Sequence, residues 1–172
     1  MSAVKCLHPR RSGPDDRFER LLSGWEQAIR NGNQAYSGNQ DQLALQQYQL
    51  ALKQAKLMLQ AFVQADIQAE PCIDKILAAY VVSHHNLSDL HLRQGDLCAA
   101  ACRLCEAHQC LACMCADMEV RSELREAAQR HGRRTYKALL HFHCLYQDSS
   151  SLVERTLRIC GQFCTLQTPS LH

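Results

Sequence analysis

An all-α fold, with about six antiparallel helices joined into three helical hairpins, is what this 172-residue sequence predicts, and three observations predict it. The first is composition. Leu, Ala and Gln dominate, while Gly and Pro number only 7 and 4, a balance that favours helix. The second is periodicity, since apolar residues recur at intervals of three and four along most of the chain, which gathers them on one face of a helix. The third concerns strands. No segment alternates strictly between apolar and polar, and no hairpin dipeptide lies between apolar runs. With 47% apolar and 21% charged residues, the chain is long enough to bury a core without disulfides or metal, so one domain over 16–166 is the expectation.

Residues 1–15 read as a flexible arm, punctuated by Pro9, Gly13 and Pro14, with apolar periodicity beginning near Phe18. Asp15 or Asp16 can cap a first helix reaching about Tyr36, with Phe18, Leu21, Leu22, Trp25, Ala28 and Ile29 on one face. Ser37-Gly38-Asn39-Gln40 turns the chain. A second helix carries Leu43, Ala44, Leu45, Tyr48, Ala51, Leu52, Ala55, Leu59 and Phe62 and is expected to extend to Gln68. Pro71 suits the first turn of a third, whose body includes Ile73, Ile76, Leu77, Tyr80, Val81, Leu87 and Leu90. Gly95 then supplies a left-handed C-cap and Asp96 the next N-cap. A fourth helix is expected over Leu97 to Ala116 and a fifth over Glu119 to Gln147. Asp148 to Ser151 would cap a sixth ending near Cys164, leaving 167–172 as a tail.

Charge and targeting narrow the functional classes. The 19 basic and 17 acidic residues leave a net charge of +2, no broad footprint for nucleic acid. The N-terminal arm lacks the apolar run of a signal peptide. Elsewhere apolar stretches break well before the ~20 residues of a membrane span, so a soluble cytoplasmic protein is expected. Its 11 cysteines, an odd number in a chain without an export signal, then read as reduced thiols, free or metal-bound. No phosphate loop, nucleophile elbow or dinucleotide fingerprint is present. A non-enzyme without a cofactor is the expectation.

Comparing the hairpins exposes an internal repeat. Asn86, Leu87, Gly95, Asp96, Ala100, Leu104 and Ala107 form one copy, and Gly32, Asn33, Tyr36, Ala44, Tyr48, Ala51 and Leu52 another. Together these resemble the tetratricopeptide (TPR) pattern, in which small residues of the second helix let it nest against the first. Val153, Leu157 and Cys160 echo the spacing in the last hairpin. The sequence departs from the family in period. Ala44, Ala100 and Val153 are separated by 56 and then 53 residues, against 34 in the family, so the helices are longer.

The resemblance implies a protein or peptide partner held on the face formed by the first helix of each hairpin. Carried onto this chain, the contact residues are Ile29, Asn33, Tyr36 and Ser37, then His85, Asp89, Leu92 and Arg93. Some TPR proteins clamp a terminal carboxylate with two asparagines and three basic residues. Asn33 and Asn86 stand at the asparagine positions, but Ile29, Thr135 and Leu139 occupy the basic ones, so that clamp is not expected. A separate basic stretch, Arg130, Arg133, Arg134 and Lys137, would either steer an acidic partner or form a solvated helix face.

Cys98, Cys102, Cys105, Cys110, Cys113 and Cys115 crowd the fourth helix. At 100° per residue, Cys98, Cys102 and Cys105 fall within about 60° of one another, with Cys113 beside them. Leu97, Ala100, Leu104, Ala107 and Leu111 lie roughly opposite. A helix apolar on most sides should be packed on two of them, with cysteine acting as a small hydrophobe. The alternative is a soft-metal site for Cu(I) or Zn, or a thiol redox function. Cys98, Cys102, Cys105 and Cys113 would then act with His141, His143 and Cys144, or with Cys160 and Cys164. A protein-interaction module, adaptor or chaperone-like, is therefore the leading expectation. A homodimer is a further one, because a short helical array leaves apolar ends to cover.

Overall fold

A computed structural model describes residues 14–64, 70–146 and 158 of the chain. Five helices account for most of these residues: α1 (Pro14–Ser37), α2 (Asp41–Gln64), α3 (Glu70–Arg93), α4 (Leu97–Ala116) and α5 (Ser122–Tyr146). The class is all-α, with no strand among the described residues. The N-terminal arm up to residue 13, the stretch assigned to a sixth helix apart from Arg158, and the C-terminal tail lie outside the described residues, as do 65–69 at the expected end of α2.

Local chemistry sets the helix ends. The α1–α2 turn closes with the Gly38 N–H donating to the Gln34 carbonyl at 3.0 Å and the Gln40 N–H to the Ala35 carbonyl at 2.9 Å. Asn39, at φ 55°, takes the left-handed conformation there, which its short polar side chain tolerates. At the α3–α4 junction Gly95 has φ 78°. The Asp96 carboxylate then caps α4 by accepting from the Ala99 N–H at 2.9 Å, as the sequence predicts. The fifth helix departs from expectation by starting at Ser122 rather than Glu119. Asp117 is the cause: its Oδ1 accepts from the Glu119 N–H at 2.9 Å and its carbonyl from the Val120 N–H at 3.2 Å. Met118 and Glu119 are thereby held in a turn.

Successive helices pack against each other, and α3 packs in addition against α1 and α5. The third helix therefore touches all four others, whereas α1 does not reach α5 and α2 does not reach α4. The main core joins Tyr48, Met58, Leu59 and Phe62 of α2 to Ile76, Leu77, Leu87 and Leu90 of α3, with Leu111 of α4 and Leu124 of α5. A second cluster centres on Ala101, Leu104 and Cys105 of α4 and Leu139 and Phe142 of α5. Trp25 ties α1 to α3, its indole N–H donating to Ser83 Oγ at 2.9 Å, while the Ser83 hydroxyl donates to the Ala79 carbonyl at 2.7 Å.

Helices α1 and α2 approach closely where Gly32 faces the Tyr48 ring. A Cβ at Gly32 would lie 2.5 Å from Tyr48 Cε1, well inside contact distance, and Tyr48 is buried. Gly32→Ala is therefore expected to destabilise the protein by about 1–3 kcal/mol in urea unfolding, overpacking outweighing the gain in helix propensity. A neutral or stabilising result would mean that the two helices separate freely at this point.

Candidate partner-binding face

Because α1 and α5 both pack against α3 but do not touch each other, the strip of α3 between them is a candidate groove. Which side of α3 is open can be read from its own residues. Val82 is 38% exposed, and Lys75 and Asp89 are exposed. Spaced seven residues apart, these three lie on one strip of the helix. The opposite strip, in the gap between α2 and α4, is closed: Tyr80 is 6% exposed and His84 0%. The open groove thus lies on the side of the odd-numbered helices.

Several sequence-predicted contact residues meet at the α1–α3 end of this groove. Arg93 Nη1 donates to the Tyr36 carbonyl at 2.6 Å, its other terminal nitrogen pairs with Asp41, and its guanidinium carbon lies 3.6 Å from the Tyr36 ring centroid. Asn33 Oδ1 accepts from the Tyr48 hydroxyl at 2.9 Å and from Asn86 Nδ2 at 3.5 Å. The Tyr48 hydroxyl is held above its ordinary pKa by burial first, then by Tyr36 and Asp89, with Arg93 acting in the opposite direction.

These bonds sort the residues by what they can still offer. Arg93 is consumed in clamping α1, α2 and α3 together, so it acts as a staple. The Asn33 amide N–H groups and the Asn86 amide oxygen take no part in these bonds. Asp89 is exposed, yet partial desolvation lifts its carboxyl above the usual value, opposed by neighbouring His85. Burial in turn lowers the His85 imidazole, whose Nε2 is buried without a hydrogen-bond partner. Ile29 and Leu92 are half-buried packing residues, Ile29 against the main core and Leu92 against the α4–α5 cluster. Ser37 is exposed at the last position of α1. Thr135 and Leu139 are buried, away from any clamp position.

Residues absent from the sequence-derived set complete the face. Val82 forms its floor, and Tyr48 and Asp41 of α2 hold Asn33 and Arg93 in place. Val82 carried a usable signal, lying three residues before His85 and seven before Asp89. The two α2 residues carried none, because their role depends on partners 15 and 52 positions away.

The cysteine stripe takes up a different environment. Cys105 is buried, Cys98, Cys102, Cys110 and Cys115 are half-buried, and Cys113 and Cys144 are exposed. His141 and His143 are also exposed. The fourth helix packs on two sides, against α3 and α5, but the helix in contact with all the others is α3. Burial raises the Cys102, Cys110 and Cys115 thiols, with the nearby Tyr80 hydroxyl acting in the opposite direction on Cys110. Such thiols are poor nucleophiles at neutral pH. Among the described residues no three His, Cys, Asp or Glu side chains are gathered as a metal ion would require. No described helix is long and apolar enough to cross a membrane.

A family model described as "Protein of unknown function (DUF2753)" matches residues 23–171. No curated protein and no solved structure matches the chain.

Proposed function

The chain belongs to that family, and we propose that it is a non-enzymatic protein-interaction module, an adaptor or chaperone-like protein, that binds a segment of a partner along α3. In this reading the helices are TPR-like hairpins, α1 with α2 and α3 with α4, and α5 begins a third. One observation carries it: α3 packs against every other helix yet leaves Lys75, Val82 and Asp89, spaced along one strip, exposed. An ordinary core helix in that position would have no such strip, and a valine held open in a groove is available to a partner side chain. The amide groups left free on Asn33 and Asn86 support the same reading, since they can pair with a peptide backbone.

The test places a photo-crosslinking amino acid at Val82 and, as a control, at exposed Lys53 of α2, in cells of the native host. A discrete adduct from position 82 that is absent from position 53 is expected, weakened by Asn33→Asp. Equal crosslinking from both positions, or none from position 82, would reject the groove as the binding face.

A further inference from the structure

The two walls of the groove differ in charge. On the α1 side Arg30 pairs with Glu26 at 3.6 Å, leaving that rim close to neutral. On the α5 side Arg130 and His131 reach Asp74 of α3 at 2.9 and 3.2 Å, which fixes the face of α5 turned toward α3. Arg134, Lys137 and His141 continue from Arg130 at offsets of four, seven and eleven residues, so they follow the same rim. All three are exposed. Between residues 127 and 146, α5 carries no acidic residue, and neither Arg134 nor Lys137 has an ion-pair partner within 4 Å among the described residues. On the floor, Lys75 lies two turns before Val82 and is exposed.

The ledger of charges is therefore uneven. Asp74 is engaged by Arg130 and His131, which leaves Asp89 as the one acid on that strip among the described residues, against exposed Lys75 on the same strip and Arg134 and Lys137 on α5. Exposed cations on α3 and on the α5 rim, with an exposed valine on the same strip of α3 as Lys75, make a surface that attracts negative charge and offers one apolar contact.

We propose that the partner segment is acidic, its carboxylates directed at Lys75, Arg134 and Lys137 and one apolar side chain resting on Val82. This inference rests on the groove reading above and names the chemistry of its ligand. From Lys75 to Arg93 the strip is roughly 27 Å long, the span of about eight residues of extended chain. The partner needs only a short linear segment to fill it.

The probes are two fluorescein-labelled peptides of about ten residues with the same leucines, one with Glu and the other with Lys at the remaining positions. Fluorescence anisotropy with the full chain is expected to show binding of the Glu peptide, weakened on raising salt as the charges are screened. Arg134→Glu together with Lys137→Glu should weaken it roughly tenfold or more, whereas Lys53→Glu on the far side should leave it unchanged. Preference for the Lys peptide would overturn the acidic-partner inference while leaving a groove that binds peptides. Equal losses from Lys53→Glu and from the α5 reversal would also overturn it, by showing charge attraction without a site. If neither peptide binds, the acidic-partner inference fails, and crosslinking from position 82 decides separately whether the groove reading survives.

Discussion

Leu77→Ala is expected to cost about 2–5 kcal/mol in urea unfolding, a large part of the 5–15 kcal/mol that typically holds a domain together. Leu77 is fully buried in the core shared by α2, α3, α4 and α5. Truncation would remove its transfer free energy and leave a void that surrounding helices fill only in part. The position is unforgiving because α3 is the element against which all the others pack. A shift that closed the void on one side would open contacts on another. Leu43→Ala, at an exposed α2 position, should stay within about 0.5 kcal/mol of the parent. A loss below about 1 kcal/mol at Leu77 would show that α3 is not the organising helix.

Acid should weaken the fold sharply, and His84 is the main reason. Its ring is fully buried, edge-on to Tyr80 at 4.6 Å between centroids, and its pKa is pushed down to about 3, by burial first and then by Arg103 and Lys56. Both ring nitrogens lack a hydrogen-bond partner of ordinary geometry, the Glu106 carboxylate standing 3.8 Å from Nδ1. The unfolded chain, with a histidine of ordinary pKa near 6.5, takes up a proton that the folded chain refuses. Stability is therefore intact above about pH 6.5 and falls as pH drops toward 3. By pH 4 the loss from His84 alone is on the order of 3 kcal/mol. His108, whose ring bonds Thr135 at 2.8 Å across the α4–α5 interface, and His131 are also lowered by burial and add to the loss. Asp89, lifted by desolvation, opposes it by favouring its protonated form in the fold. Urea midpoints at pH 7 and pH 4 should separate much less in His84→Gln than in the parent. An unchanged separation would assign the acid sensitivity to other groups.

The face on α3 was legible in the sequence only in part. The TPR resemblance selected Tyr36 and Arg93, which touch each other, and Asn33, which bonds Tyr48 and Asn86 instead, but it could not tell that Arg93 is occupied by Tyr36 and Asp41. Ile29 and Leu92 fall on helix faces adjacent to the selected strip and pack against apolar neighbours instead. A helical offset locates a side chain to within a few tens of degrees. The neighbouring helix then decides whether that direction is groove or core.

Other features were fixed by near neighbours alone. Apolar spacing of three and four residues, the scarcity of Gly and Pro, Gly95 at its left-handed turn and Asp96 at the start of α4 each act over a few positions, so the sequence by itself determined the all-α class and most helix ends. Tertiary structure decided which side of α3 stays open, which of its histidine nitrogens are buried without a hydrogen-bond partner, and which α5 side chains reach α3. Those outcomes depend on the Arg93–Tyr36 and Arg130–Asp74 contacts, between residues 57 and 56 positions apart. Such separations lie far beyond the three- and four-residue spacing through which a helical sequence specifies its own neighbours.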